Sequence, residues 1–213
     1  YLEMRSQFLD GKKFVKKDYY RDLARRFGRT DKAYEYRMQN ISHVLSLQGR
    51  EWISGLRPAA NVGSNVICEL EKLISEVEGV PNRRVAEFET SVKEKLKGQK
   101  KTPPAGSDNP PTSRSETVSF VRDPAVKAWV LAEANGKCEL CGTAAPFVRD
   151  DGTPFLEVHH VRTLADKGSD RIQNAVALCP NCHRALHYAR GRSEMVERLF
   201  GSVSRLEKET GIL

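Results

Sequence analysis

The window from Cys138 to His187 constrains the fold of this chain more than any other stretch. It contains four of the five cysteines and four of the five histidines in the 213 residues. They occur in pairs, which are Cys138 with Cys141, His159 with His160, Cys179 with Cys182, and His183 with His187. Thiols and imidazoles at such spacings are typical ligands of transition metals. The clustering predicts two metal sites.

The cysteines predict a structural zinc site. Two Cys-x-x-Cys pairs separated by an intervening segment offer four thiolates that can close tetrahedrally around Zn²⁺. Gly142 follows the first pair, and glycine permits the tight turn of a zinc knuckle. Four reduced core cysteines or two disulfides are the alternatives, and the spacing favours zinc over both. The predicted zinc ligands are Cys138, Cys141, Cys179 and Cys182.

The histidines predict a second site, because zinc bound by four sulfurs leaves no position for imidazole. A helix that begins near Pro180 would project His183 and His187 from one face, so both can reach one cation. Neighbouring residues on a helix point about 100° apart, so Cys182 and His183 can serve different metals.

The doubled histidine before this helix lies in a stretch of strand composition, residues 155–161. In a strand, His159 and His160 would face opposite sides, so one of them can bind a cation while the other does not. The four histidines thus offer three imidazoles for a cation and one that remains free as a base.

Together with Asn174, these residues resemble the HNH nuclease family, whose ββα-metal motif is stapled in one subclass by a four-cysteine zinc. The resemblance covers about residues 118–190. It implies that His160 is the general base that activates water, and that Asn174 holds the loop and orients this base through hydrogen bonds. It also implies that three imidazoles bind a catalytic divalent ion, those of His159, His183 and His187.

The resemblance also implies the chemistry. Many family members have Asp where this chain has His159, and an all-imidazole set resembles that of the bacterial colicin nucleases. Such a set suits Zn²⁺, Ni²⁺, Co²⁺ or Mn²⁺, whereas Mg²⁺ prefers oxygen ligands. Phosphodiester hydrolysis needs an in-line water, a base of near-neutral pKa and a cation that stabilises the developing charge. One divalent ion and one histidine suffice for this reaction.

Composition indicates a basic protein with room for one large or two small domains. The formal net charge is +7 and the sequence pI is about 9.2. We expect no membrane association, because no apolar run approaches the length of a membrane span. The absence of a signal-peptide pattern and the zinc-spaced thiols predict a cytoplasmic protein. Since the sequence begins with Tyr1, we expect that the natural start lies upstream.

The positive charge is concentrated near the N-terminus. Residues 12–57 contain 12 Lys+Arg against 5 Asp+Glu, whereas residues 118–213 contain 13 against 12. A basic run is ordinarily a solvated helix face, but such faces usually mix signs. The regional excess therefore predicts that the N-terminal part holds DNA.

The N-terminal part has the apolar periodicity of helices. Residues 18–27, before Gly28, and residues 31–47 predict two helices joined by a short turn, as in a helix-turn-helix protein or any small helical bundle. Residues 85–96 predict another helix. Residues 64–78 predict a helix with five inward residues, which are Val66, Ile67, Leu70, Ile74 and Val77.

A second resemblance covers about residues 15–78. This stretch is similar to the N-terminal domain of the McrA-type restriction endonucleases, which cut DNA that carries modified cytosine. The resemblance rests on spaced positions, which are Arg37 to Asn40, Ser42, Gly49, Trp52, Pro58 and Asn61. It implies that this part reads 5-methylcytosine or 5-hydroxymethylcytosine in duplex DNA.

A cytosine methyl group in the major groove requires a small apolar pocket, for which Trp52 is the candidate. Donors for neighbouring bases and phosphates are also needed, and the candidates are Arg37, Asn40, Arg57 and Asn61. The alternative is that Trp52 is a core residue and that Arg37 and Asn40 have structural roles.

Residues 98–117 are rich in Pro, Gly, Ser, Thr and Lys, so we expect a flexible linker there. It would join a helical DNA-recognition domain, residues 1–97, to a nuclease domain, residues 118–213. In the latter, Asp123 and Pro124 predict a helix start, and residues 193–209 predict an amphipathic helix. The expected fold class is α+β.

These features predict a homodimeric modification-dependent, or type IV, restriction endonuclease that acts on double-stranded DNA. Dimerisation is expected because one such active site cuts one strand. Three alternatives remain open: an HNH nuclease with another role, such as nicking or phage packaging, a reader of another modification such as phosphorothioate, and a non-catalytic zinc protein that binds DNA.

Overall fold

The computed structural model describes residues 1–97 and 120–209, together with residues 103, 105, 107, 108 and 110. They form two compact units. The first, called here the metal-site unit, combines Tyr1–Val15 with Phe120–Leu213, and the second, the helical unit, is Lys16–Ser119. The predicted linker at residues 98–117 lies outside the described residues except at those five positions.

Among the described residues, the metal-site unit combines helices with two strands, and the helical unit contains helices. In chain order the described elements are α1 Leu2–Leu9, α2 Lys16–Phe27, α3 Asp31–Leu47, α4 Ser64–Glu78, α5 Val85–Lys97, α6 Pro124–Ala134, β1 Glu157–His160, β2 Ala175–Leu178, α7 Pro180–Tyr188 and α8 Arg192–Ser202. Helices combined with one two-stranded sheet confirm the α+β class. No helix in the described part of the chain has the length and apolar character needed to cross a membrane.

The core of the metal-site unit is built around β2, which is buried along its whole length. β1 pairs with it in antiparallel register, with His159 opposite Val176 and His160 opposite Ala175. Apolar side chains of the flanking helices complete the core, including Val130, Ala134, Leu186 and Leu199. Because each buried aliphatic side chain contributes about 1.5–3 kcal/mol, this packing fixes β1 and α7, which carry the histidines.

The helix predicted for residues 193–209 is shorter than expected. α8 ends at Ser202, and Val203 adopts an extended conformation. The chain then turns so that Leu206 packs into the core, while Arg205 forms an ion pair with Glu139 at 2.6 Å. These tertiary contacts outweigh the helical periodicity of the tail.

The first fifteen residues belong to the metal-site unit, whereas the sequence suggested one N-terminal domain from residue 1 to 97. α1 inserts the fully buried Met4, and the buried Arg5 donates from Nη1 to Asp166 Oδ1 at 2.6 Å. Arg162 Nη2 donates to Asp10 Oδ1 at 2.7 Å. Because these partners are more than 150 positions apart in the chain, local sequence patterns do not reveal them.

In the helical unit, α3 and α4 have the predicted bounds, and Gly79 ends α4 in a left-handed conformation. Val77, expected to point inward, is 73% exposed. The buried face of α4 is rotated toward Glu71, whose carboxylate accepts hydrogen bonds from the backbone N–H groups of Ala86 and Glu87 at the start of α5. This polar cap joins α4 to the start of α5, beside the buried apolar residues Ile67, Leu70 and Ile74 of α4.

Candidate metal centres and their surroundings

The four zinc-spaced cysteines meet in the metal-site unit. Their sulfur atoms lie within 4.8 Å of one another. Cys138 and Cys141 come from the turn after α6, where the Gly142 N–H donates to the Cys138 carbonyl at 2.7 Å and Gly142 has φ +73°. Cys179 caps α7 and Cys182 lies in its first turn. The cluster can hold a zinc ion.

The thiols of this cluster have the chemistry of a cation site. A hydrogen bond with the Thr143 hydroxyl lowers the pKa of the Cys141 thiol to about 6. Burial, with the neighbouring thiols, raises the pKa of the Cys182 thiol, and burial likewise raises the pKa of Cys138. Crowded thiolates are unfavourable without a counter-charge, which a divalent cation supplies. The residues therefore fit zinc.

The structure also brings together three imidazoles, those of His159 on β1 and of His183 and His187 on α7. Their ring centroids are separated by 5.0, 5.0 and 5.1 Å, and one ligand atom of each lies within 4.8 Å of the others. Burial, followed by the neighbouring imidazoles, lowers the pKa of His159 to about 3. A neutral imidazole keeps the lone pair that a metal requires, so this cluster can bind a cation.

Glu157 supports this cluster, although the sequence reasoning did not single it out. Its Oε2 lies 2.6 Å from His183 Nδ1, while His183 Nε2 lies 3.4 Å from His187 Nε2. The strand period contained the signal, because residues two apart on β1 face the same side, and Glu157 precedes His159 by two.

His160 has a different environment from its neighbour His159. It is 6% exposed, and its Nε2 lies 2.7 Å from Asp170 Oδ1. The other oxygen of Asp170 accepts the Asp123 N–H at 2.6 Å. Partial burial opposes ionisation, but the hydrogen bonds from Asp123 and His160 keep the pKa of the Asp170 carboxyl below its ordinary value. No local pattern in the sequence pointed to Asp170.

The side-chain hydrogen bonds that the structure shows for Asn174 go to backbone groups of the loop after β1. Its Oδ1 accepts from the Arg162 N–H at 2.8 Å, and its Nδ2 donates to the carbonyls of Arg162 and Ser169 at 2.9 and 2.8 Å. These bonds close the loop 162–169. Asn174 thus bonds the loop, and the described acceptor at the His160 imidazole is Asp170, so the orienting role of Asn174 stays a prediction.

An open pocket of about 220 Å³ lies over both groups of histidines. It is lined by Phe120, Arg122, Val158, His159, His160, Thr163, Leu164, Ala165, His183 and His187. Among the described residues that line it, one is an arginine and none is a carboxylate. Such a lining is suited to an anionic group, for which a phosphodiester is one example.

The proposed base-reading residues lie in the helical unit. Arg37 is exposed on α3 and Asn40 is half-buried, while Arg57 and Asn61 are exposed in the segment between α3 and α4. Trp52 is half-buried. The structure joins this segment to α3, because the Ala59 N–H donates to the Gln39 carbonyl at 3.2 Å, next to Asn40.

Three further features hold the segment between α3 and α4. Ile53 and Leu56 are each 1% exposed and anchor this segment in the core of the helical unit, whereas the Arg57 side chain is exposed to solvent. Lys16 Nζ donates to the Ser54 carbonyl at 2.7 Å. His43 hydrogen-bonds the backbone at Ala59, although burial and Lys93 together lower the pKa of its imidazole. His43 was not among the predicted site residues.

The HNH endonuclease family matches residues 138–189 of the chain. Both metal-ligand clusters, His160 and Asn174 lie within these residues. These residues are called the HNH segment below, after the family that they match. The HNH segment also contains Glu157 and Asp170, whereas Arg122 and Asp123 lie before it.

Comparison with known proteins extends the likeness beyond the HNH segment. The chain is 50% identical over 105 residues to the type IV methyl-directed restriction enzyme EcoKMcrA of Escherichia coli (strain K12), which is 49% of this chain and 38% of that protein. It is 29% identical to the type IV phosphorothioation-dependent restriction endonuclease ScoMcrA, with a TM-score of 0.38 over 58% of this chain and 23% of that one. The chain thus spans well under half the length of either relative.

Proposed function

We propose that this protein is a type IV restriction endonuclease that hydrolyses phosphodiester bonds in DNA carrying 5-methylcytosine or 5-hydroxymethylcytosine. The observation that carries the proposal is the pocket in which His160 lies beside the cluster of His159, His183 and His187. The HNH segment and the 50% identity to a methyl-directed enzyme support it.

The catalytic roles follow from the chemistry of the pocket. His160 accepts the proton of the attacking water, and Arg122 binds an oxygen of the phosphate. Asn174 keeps the loop 162–169 in place as a wall of the pocket. A divalent ion, Mn²⁺, Ni²⁺, Co²⁺, Zn²⁺ or Mg²⁺, held by the three other histidines would stabilise charge on the phosphate and the leaving oxygen. The four cysteines hold a structural zinc.

The helical unit is proposed to recognise the modified base. Its basic N-terminal half supplies the charge that attracts the DNA backbone. Arg37, Asn40, Arg57 and Asn61 contact bases and phosphates, and Trp52 contributes to a pocket for the methyl group. Because each active site cuts one strand, a homodimer produces a double-strand break. The protein acts in the cytoplasm, where its thiols stay reduced.

Cleavage of one plasmid, with and without cytosine methylation, tests the proposal. We expect cutting only of methylated DNA, dependent on added Mn²⁺, Co²⁺, Ni²⁺ or Mg²⁺, and abolished by His160→Ala. Glu133→Gln removes an exposed carboxylate of α6 and should cut as the wild type does. Equal cutting of both plasmids would indicate an HNH nuclease of another role, and binding without cutting would indicate a non-catalytic protein.

Binding is measured separately in the His160→Ala background, where the DNA stays intact. Arg57→Ala should weaken binding to the methylated duplex by about tenfold, the loss of about 1.4 kcal/mol that one good contact provides. Arg83→Ala removes an equally exposed arginine of the helical unit and should have little effect. Equal losses for both variants would show that charge alone, not a specific contact, mediates binding.

A further inference from the structure

We propose that Asp170 is a positioning residue that fixes the tautomer of His160, so that Nε2 carries the proton and Nδ1 is the basic nitrogen. The inference deepens the proposed function, since it rests on His160 acting as the general base. Neither the HNH match nor the similarity to other enzymes assigns a role to Asp170.

The first support is the hydrogen bond itself. His160 Nε2 and Asp170 Oδ1 are 2.7 Å apart, and the His160 side chain is 6% exposed. A carboxylate can only accept a hydrogen bond, so the proton between the two atoms belongs to Nε2. A neutral imidazole with a proton on Nε2 has its lone pair on Nδ1.

The second support is that the two carboxylate oxygens of Asp170 have different hydrogen-bond partners. Oδ2 accepts the Asp123 N–H at 2.6 Å, which leaves Oδ1 for His160. Asp123 is the N-cap of α6, so the carboxylate is held by a helix terminus and cannot rotate without losing this bond. An acceptor fixed in this way holds the imidazole ring in one orientation.

The third support is the position of Asn174. The described side-chain bonds of this residue go to backbone groups of the loop 162–169. Because these bonds occupy the Asn174 side chain, the described side chain that can orient His160 is that of Asp170, which follows the loop in sequence.

Tautomer measurement tests the inference without requiring catalysis. The full chain, loaded with zinc and labelled with ¹⁵N-histidine, is examined by long-range ¹H–¹⁵N correlation at mildly alkaline pH, and His160 is assigned by its loss in His160→Gln. We expect a protonated Nε2 and an unprotonated Nδ1. A proton on Nδ1 in the wild type would overturn the inference, and this result needs no folded variant of Asp170.

Asp170→Asn provides the second test. The amide has one acceptor where the carboxylate has two, so if its oxygen keeps the Asp123 N–H, its NH₂ faces His160 Nε2 and moves the proton to Nδ1. We expect this tautomer change, with kcat on methylated DNA lowered about 100-fold and KM within about threefold. Asp151→Asn, an exposed acid of the same unit, should change neither tautomer nor kcat.

The outcomes separate this inference from the proposed function. If the wild type cleaves DNA and Asp170→Asn has the same kcat, the role of Asp170 is overturned and the nuclease proposal is unaffected. Absence of wild-type cleavage, combined with the expected tautomer and its change in Asp170→Asn, would reject the nuclease while supporting the hold of Asp170 on His160.

Discussion

His183 Nδ1 lies 2.6 Å from Glu157 Oε2, and this hydrogen bond decides which nitrogen of His183 faces the other imidazoles. With Nδ1 donating to the carboxylate, Nε2 keeps its lone pair and lies 3.4 Å from His187 Nε2. Carboxylates that bind the outer nitrogen of a ligating histidine fix its orientation and increase its basicity. Glu157 thus prepares the cluster for a cation.

Glu157→Gln should therefore weaken cation binding at the three histidines by about tenfold or more, because the neutral amide no longer polarises His183. The measurement is competition with a chromophoric chelator for Co²⁺, after the cysteine site has been filled with zinc. Glu133→Gln, an exposed change of the same type in the same unit, is the control. Equal affinity in both variants would contradict the role assigned to Glu157.

Gly168→Ala should disrupt the loop that borders the pocket. A Cβ at this position would overlap the Arg162 carbonyl oxygen and approach Asn174 Nδ2 to 2.9 Å. Since both groups belong to the hydrogen bonds that close the loop, they cannot move away without breaking those bonds. We expect a loss of at least about 2 kcal/mol in the free energy of unfolding, together with reduced cleavage.

Thermal unfolding and plasmid cleavage measure the two effects of Gly168→Ala. The control is Gly201→Ala in α8, where an added Cβ meets nothing within 4 Å. That substitution should be neutral or slightly stabilising, because alanine favours the helix. The steric explanation fails if the two variants have equal stability.

The sequence predicted those features that short-range patterns determine, such as helix periodicity and ligand spacing. The bounds of α3 and α4 follow from their periodicity and flanking residues, and the two cysteine pairs define a site by spacing. Glu157 could have been predicted from the strand period, because it precedes His159 by two residues. Asp170 could not, because its link to His160 depends on how the loop after β1 returns to the start of α6.

The same limit applies to the first fifteen residues, which group with the metal-site unit. The buried residues of α1 are the consecutive Met4 and Arg5, so its sequence lacks the apolar stripe that predicts a core helix. Asp166, which pairs with Arg5, and Arg162, which pairs with Asp10 just after α1, become neighbours of this segment only once the chain has folded. The prediction that the helix continues past Ser202 was wrong for a related reason. Arg205 and Leu206 contact residues that are distant in the sequence.

Cys182→Ser should remove the structural metal and, through α7, weaken the histidine cluster. Cys182 and His183 are consecutive on this helix, so releasing its first turn loosens both sites. The thiolate-to-cobalt charge-transfer band of the Co²⁺-substituted protein reports on the cysteine site alone. Cys68→Ser provides the matched control, because Cys68 belongs to the helical unit and is not one of the four clustered cysteines. An undiminished band in Cys182→Ser would show that Cys182 is not a ligand.

The N-terminal segment should be required for the stability of the metal-site unit. Arg5→Ala removes the buried ion pair between Arg5 and Asp166, and breaking a buried pair costs about 3–5 kcal/mol. Trp129 fluorescence reports on the unfolding of this unit when Trp52, the other tryptophan, is replaced by Phe. Lys13→Ala, an exposed change in the same segment, should alter the unfolding free energy by less than about 0.5 kcal/mol. If Arg5→Ala changes the unfolding free energy as little as Lys13→Ala does, the segment is attached to the unit without stabilising it, and a chain that begins near residue 118 should then fold on its own.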